Sequence, residues 1–329
     1  MRQMPTINNK SKINIGVIGL NNHAARIISI LDNSINADCK YIYYPKKISH
    51  SENRITKKFS NLINHCEGII IASPSGTHYK YLELLSEYKG YILVEKPIVA
   101  SLIETKKIKK ITLKRKKKIA VNYNFVHSPV AQSISSIIKN KKIGNPILLD
   151  IHSSHGLAFS RSYKLGWRAN KNSYGVAGLV GVHYINLAIN LFGRVIKSKI
   201  TNLNVAKTGS SPDTTFIELI MPKKIRVHIW LSYAATFKYN ISLYGDNGRY
   251  NYDGELETLN TPRDSFDNGG RYTNPPISYK NKIYHSDNWK IGLENSIENF
   301  ISGVTCKTSF ELSDYNISIE SMMPLFKNK

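Results

Sequence analysis

Hydrophobic and polar positions along this chain fall into two textures, and the change comes near residue 123. Before it, short solid apolar runs alternate with amphipathic stretches. Ile13–Ile18, Gly68–Ala72, Tyr91–Val94 and Ile119–Tyr123 have no polar face, the pattern of strands covered on both sides of a parallel sheet. Asp38–Tyr44 adds another strand. Between them the spacing predicts helices over Ala25–Leu31, briefly over Lys57–Leu62, and after Thr77, a cap for Tyr81, Leu82, Leu84 and Leu85 that Lys89-Gly90 closes. A lysine-rich helix over Lys106–Lys118 carries Ile108, Ile111 and Leu113. Strand and helix in regular succession predict a doubly wound first domain over residues 1–122.

The second domain, 123–329, starts with a helix over Ala131–Lys139 and a turn at Ile143-Gly144-Asn145-Pro146. Strands follow over Ile147–Ser153, Lys199–Val205, Thr215–Met221, Ile225–Ser232 and Asn240–Gly245, with a hairpin tip at Asp246-Asn247-Gly248. Their alternation predicts an antiparallel sheet. A nearly all-apolar helix over Gly178–Phe192 interrupts it. Its polar residues His183 and Asn186 share a face, and burying them without partners is costly, which predicts a wet cleft around them. A histidine so placed is nevertheless more often a satisfied core residue than a functional one. Tyr252–Ser286 reads as long loops with short strands, a lid or an interface arm. Trp289–Ile301 and Ser313–Leu325 predict closing helices.

Candidate chemistry sits where the first domain's strands end. Ser73-Pro74-Ser75-Gly76 breaks one strand, and Glu95-Lys96-Pro97 follows the next, proline fixing the backbone after the lysine. Alone, a lysine after a strand is most often a solvated surface residue. The first strand runs into Gly19-Leu20-Asn21-Asn22-His23-Ala24 and a helix, the setting in which G-x-G-x-x-G/A binds a dinucleotide pyrophosphate. Gly19 and Ala24 keep the first and third positions. Asn21 replaces the second glycine; asparagine tolerates positive φ, so the turn can form, but its side chain crowds an anion. The 38–44 strand leads into Pro45-Lys46-Lys47 rather than into an acid for the ribose of NAD. That inclines the cofactor reading from NAD towards NADP, unless these are simply two more surface lysines.

At 329 residues, two domains are expected. The formal charge of +23, from 46 basic and 23 acidic residues, invites a nucleic-acid reading. The lysines come with abundant asparagine and isoleucine throughout, which marks a global bias rather than a placed patch, so nucleic acid is not the expected partner. Cys39, Cys66 and Cys306 are odd in number and lack metal-type spacing, as in a reducing compartment, and no metal is expected. With no apolar run of membrane length and no signal-peptide core, a cytoplasmic protein is expected.

In order, Ile13–Ala24, Ser73-Pro74 with His78, Glu95-Lys96-Pro97, Trp167-Arg168, and Gly181-x-His183 followed by Leu191-x-Gly193 resemble the Gfo/Idh/MocA family, the relatives of glucose-fructose oxidoreductase and inositol dehydrogenase. The resemblance covers nearly the whole chain. It implies an α/β protein: an N-terminal Rossmann domain with a parallel sheet, then an α+β domain with a large open, mostly antiparallel sheet used for oligomerisation. It also implies hydride transfer to or from a hydroxyl carbon of a sugar, cyclitol or nucleotide sugar with NAD or NADP, in a homodimer or homotetramer; surface-glycan biosynthesis is the expected setting. Carried over by residue, Lys96 contacts nicotinamide ribose and substrate, and His183 exchanges the hydroxyl proton. Gly19, Asn21, Asn22, His23, Ala24, Ser73, Pro74, His78, Glu95, Lys96 and Asn124 line the cofactor site. Trp167, Arg168, His183 and Asn186, with Lys96, contact substrate; His155, Arg161 and Tyr163 lie in the loop leading there.

Two positions depart from the family pattern. Leu179 stands where the catalytic aspartate lies four residues before the histidine, and Asn186 where an aspartate is usual three residues after it. The alternative is therefore a catalytically degenerate member that binds cofactor or sugar as a regulatory or scaffolding protein.

Overall fold

A computed structural model describes residues 12–46, 52–170, 174–263 and 266–327. Its contacts divide the chain into two compact units. One is formed by residues up to Asn122 with Ile297–Tyr315, the other by Tyr123–Ser296 with the residues from Asn316 on.

In the first unit, β1 (Ile13–Ile18), α1 (Asn22–Asp32), β2 (Ala37–Tyr43), β3 (Ile55–Thr56), α2 (Ser60–His65), β4 (Gly68–Ile71), α3 (His78–Leu84), β5 (Tyr91–Glu95), α4 (Leu102–Ile108), α5 (Leu113–Lys116) and β6 (Ile119–Asn122) follow in order. The described strands pair in parallel as β3-β2-β1-β4-β5-β6. Val17, Ile69, Ile70, Ile71 and Val94 are fully buried, as their solid apolar runs require. From α1, Ala24, Ile27 and Leu31 are equally buried, each large side chain contributing about 1.5–3 kcal/mol.

Two local expectations change. The lysine-rich stretch is two helices, because Thr112 accepts from the Arg115 amide and starts a new one. The first of the two is capped by Ser101, whose Oγ accepts from Glu104 N, while Glu104 Oε2 accepts from Ala100 N just before the cap. Thr77 is not a cap: its hydroxyl donates to Pro74 O at 2.7 Å within a tight turn, and α3 starts at His78. The returning C-terminal segment completes the unit. Phe310 N donates to Lys117 O at 2.8 Å, Tyr315 Oη to Ile108 O at 3.1 Å, and buried Phe300 fills the space left by Gly68.

The second unit contains α6 (Pro129–Lys139), β7 (Pro146–Ser154), α7 (Arg161–Lys164), α8 (Val182–Phe192), β8 (Lys197–Leu203), β9 (Thr214–Ile220), β10 (Arg226–Ser232), β11 (Lys238–Gly245), β12 (Arg249–Tyr252), β13 (Leu256–Asn260), β14 (Ile277–Lys282), then α9 (His285–Thr305), which continues into the first unit, α10 (Leu312–Glu320) and α11 (Met323–Lys327). Its described strands run β14-β13-β12-β11-β7-β10-β9-β8, antiparallel except where β10 lies parallel to β7. Residues 252–286 hold two short strands among irregular stretches, as the sequence reads, and β13 and β14 extend the sheet to an edge where every β14 residue is exposed. Such an edge shows no inward apolar face, which is why its sequence reads as loop. A wide turn over Ala177–Gly181, with i→i+5 geometry, precedes α8, and Gly181 packs so tightly that a Cβ would lie 3.0 Å from Ile217 Cδ1.

Candidate active site

The order β3-β2-β1-β4-β5-β6 reverses direction between β1 and β4, and the carboxyl ends of those strands are where an open parallel sheet binds ligands. Gly19 leaves β1 with φ +124°, and a Cβ there would lie 2.7 Å from Ala72 O. Only glycine suits this turn. Asn21 then caps α1, its Oδ1 accepting from His23 N at 3.1 Å and Ala24 N at 2.9 Å. Its amide donates to Ala72 O at 3.3 Å, which ties the turn to the end of β4.

The neighbouring loops converge on this turn. His78 is fully enclosed, with Nε2 2.9 Å from Ser73 O and Nδ1 2.7 Å from Pro97 O, so one ring joins the loops after β4 and β5. Burial holds its pKa below the ordinary histidine value, although both carbonyls pull it up. Glu95, at the end of β5, is also buried. His23 Nε2 lies 2.8 Å from its Oε1, and Asn122 Nδ2 donates to the same oxygen at 2.6 Å. Glu95 raises the pKa of His23, against a smaller opposing effect of burial. Burial pushes Glu95 up, but His23, Asn122 and Lys96 together hold it below the ordinary carboxylate range.

Lys96 is half-buried directly after β5, and its peptide with Pro97 is cis. Ser73 is half-buried; Pro74 and Asn22 are exposed on the same group of loops. Lys46 is exposed after β2, and Lys47 lies outside the described residues.

In the second unit, His183 opens α8 immediately after the wide turn that carries Leu179. It is 6% exposed and stands edge-on to Trp289, at 5.1 Å between ring centres, and to Tyr123, at 6.0 Å. Trp289 Nε1 donates to His285 Nε2 at 3.0 Å. An indole N–H can only donate, so His285 keeps that nitrogen unprotonated, in accord with a pKa lowered by burial.

Asn186 does not lie in a wet setting. It is 2% exposed, its amide donates to Ser321 Oγ at 3.1 Å, and its oxygen accepts from Asn190 Nδ2 at 3.1 Å. The polar partners that make this burial inexpensive come from the turn between α10 and α11 and from the next turn of α8. Asn124 begins a tight turn after β6 and is half-buried. Arg168 is exposed on the turn over Trp167–Ala169, and the Trp167 side chain lies outside what is described. His155 packs against Tyr233 with 5.0 Å between ring centres, and Tyr163 reaches Tyr233 from another side at 5.8 Å, while Arg161 is exposed.

The first unit thus brings together Gly19–Ala24, Ser73, His78, Glu95 and Lys96; His183 and Asn186 belong to the second. Sequence reasoning missed the joining of His23 to Glu95 and Asn122, and the ring of Tyr123 and Trp289 around His183. A histidine inside a phosphate-type turn and a glutamate before the strand-end lysine were the available signals.

Comparison with known proteins accounts for this arrangement. A family model described as an oxidoreductase family with an NAD-binding Rossmann fold matches residues 13–123, and the GFO/IDH/MocA C-terminal domain matches residues 131–251. The chain belongs to the Gfo/Idh/MocA oxidoreductases. Glucose-6-phosphate 3-dehydrogenase of Bacillus subtilis (strain 168) is 29% identical over 189 residues, 54% of this chain and 53% of that protein. The chain thus spans about half the length of that curated relative. A myo-inositol dehydrogenase from Corynebacterium glutamicum ATCC 13032 shares the fold with TM-score 0.75, at 16% identity over 97% of this chain and 96% of the other. An oxidoreductase from Agrobacterium radiobacter in complex with NAD+, L-tartaric acid and magnesium does so with TM-score 0.79, at 16% identity over 95% and 94%.

The turn after β1 in this Gfo/Idh/MocA chain has the placement a dinucleotide's pyrophosphate takes, with Gly19 packed against Ala72 O where a side chain would clash, and with the His23 and Ala24 amides at the start of α1 donating to Asn21 Oδ1. Among the described residues, no group of three or more His, Cys, Asp or Glu side chains is placed to hold a metal, and no helix is long and apolar enough to cross a membrane.

Proposed function

We propose that this protein is an NAD(P)-dependent oxidoreductase acting on a hydroxyl carbon of a sugar, cyclitol or nucleotide sugar. The observation that carries the reading is the convergence of the Gly19 turn, the Ser73 loop and Glu95-Lys96-Pro97 on the switch point of a parallel sheet in an NAD-binding family. The sugar-phosphate dehydrogenase relative and the cyclitol dehydrogenase neighbour support the substrate class.

When bound, the nicotinamide supplies the hydride acceptor or donor. Gly19 and the start of α1 hold the pyrophosphate, with Asn22, His23 and Ala24. Ser73, Pro74, His78, Glu95 and Asn124 shape the remainder of the groove. Exposed Lys46, in place of an acid after β2, favours NADP. Lys96 steadies the oxyanion that develops on the substrate, and His183 takes or returns the hydroxyl proton. Trp167 and Arg168 are assigned to the substrate side, whereas Asn186, buried and bonded to Ser321 and Asn190, is withdrawn from it. We further assign a homodimer or homotetramer formed through the open sheet, and a cytoplasmic location.

A second reading, a member that binds cofactor or sugar without ordinary turnover, is favoured by Leu179, which occupies the place of the proton-handling aspartate one helical turn before His183. Titration with NADH and NADPH, followed by nicotinamide fluorescence, tests the first reading. Saturable binding, then absorbance change with one class among free sugars, sugar phosphates, cyclitols and nucleotide sugars, is the expected result. Binding without turnover on any class supports the second reading, and no binding of either dinucleotide refutes the first and leaves of the second only a member that binds sugar.

A further inference from the structure

We infer that Asn21 acts as a built-in competitor for the cofactor's phosphate, so that dinucleotide binding requires this side chain to leave the first turn of α1. The inference rests on the proposed cofactor function, in a stretch that the NAD-binding family model matches over residues 13–123.

The amides that a Rossmann turn offers to pyrophosphate are those at the start of the following helix. Here His23 N and Ala24 N already donate to Asn21 Oδ1, at 3.1 and 2.9 Å. One carbonyl oxygen thus stands where an anion's oxygen would otherwise accept. A glycine at this position leaves the donors open; an ordinary side chain crowds them. Asparagine does a third thing, satisfying them from within the chain. The same side chain donates from Nδ2 to Ala72 O at 3.3 Å, so three hydrogen bonds hold it over the turn. Asn21 is exposed, so the displaced amide has water to accept and donate to, and rotation about its χ1 opens the donors without moving the backbone. The cap stabilises the empty turn, and the cofactor must replace it.

This account differs from simple crowding in what removal of the amide does. Asn21→Ala keeps a Cβ but deletes the competing oxygen, and Asn21→Gly deletes both. Asn21→Asp keeps the cap and adds a negative charge facing the phosphate. Binding of NADH and NADPH by nicotinamide fluorescence, with a thermal melt of each variant, separates the cases. Asn21→Ala and Asn21→Gly are expected to tighten the dissociation constant by on the order of tenfold, the factor a side-chain cap is worth to a helix, while melting a few degrees lower. Asn21→Asp is expected to fold as the wild type and bind at least about tenfold more weakly.

Equal or weaker binding by Asn21→Ala, with the wild type binding normally, overturns the inference and leaves the cofactor reading standing. So does Asn21→Asp binding as tightly as the wild type, which also decides the matter if the alanine variant does not fold. Failure of the wild type and every variant to bind refutes the cofactor reading itself. Binding by Asn21→Gly alone, with Asn21→Ala silent, means that any side chain crowds the phosphate and overturns the inference.

Discussion

His23 Nε2 and Glu95 Oε1 lie 2.8 Å apart, joining the first turn of α1 to the last residue of β5. The pair has opposite pKa shifts, His23 raised chiefly by the charge of Glu95, and Glu95 lowered against its burial by His23, Asn122 and Lys96. A raised histidine contributes stability fully below its unfolded pKa, and that contribution is lost as pH rises through the folded value. A lowered carboxylate contributes above its unfolded pKa and loses it as pH falls through the folded value. The pair therefore stabilises between the lowered glutamate and raised histidine values. The His23 side chain is 39% exposed, which screens the interaction, so His23→Ala should cost about 1 kcal/mol. Urea melts at stepped pH should show the difference from wild type largest in mildly acidic buffer and smaller in alkaline buffer. A difference that grows with pH contradicts the assignment.

Gly19→Ala should lower stability by about 1–3 kcal/mol, because φ of +124° disfavours any side chain and the new methyl meets Ala72 O at 2.7 Å. Thermal melts measure it. A melting temperature equal to that of the wild type would show that the turn adapts more easily than its geometry implies.

Leu179→Asp places a carboxylate on the turn preceding His183, where the family pattern has one. If proton transfer limits turnover, kcat should rise by about tenfold or more with little change in KM. An unchanged kcat, measured on the substrate identified by the sugar panel, would show that the leucine is not what limits the rate.

The parallel sheet was legible because its strands are uniformly apolar and punctuated by turn residues, as in Gly68–Ala72 before Ser73-Pro74. The antiparallel sheet was legible where alternation is regular, as in β10, whose Val227, Ile229 and Leu231 point inward. It was not legible in β14, whose residues are all exposed. Asn186 misled because its satisfying partner Ser321 lies far along the chain, and polarity on an apolar helix looks the same whether water or a remote hydroxyl receives it. At the candidate site, Gly19 and Lys96 announced themselves by motif. The self-capping of Asn21 and the bond from His23 to Glu95 are properties of geometry that no spacing encodes.

The central claim is that Lys96 and His183 serve one reaction on a nicotinamide cofactor. Its most direct measurement is the rate of nicotinamide absorbance change on the reactive sugar class, for wild type, Lys96→Ala, His183→Ala and the double variant, each first shown to melt as a folded protein. The account predicts that each single change lowers kcat by roughly two to four orders of magnitude, and that the double variant is little worse than either alone, as for groups acting as a unit. Turnover that survives loss of both side chains would contradict it.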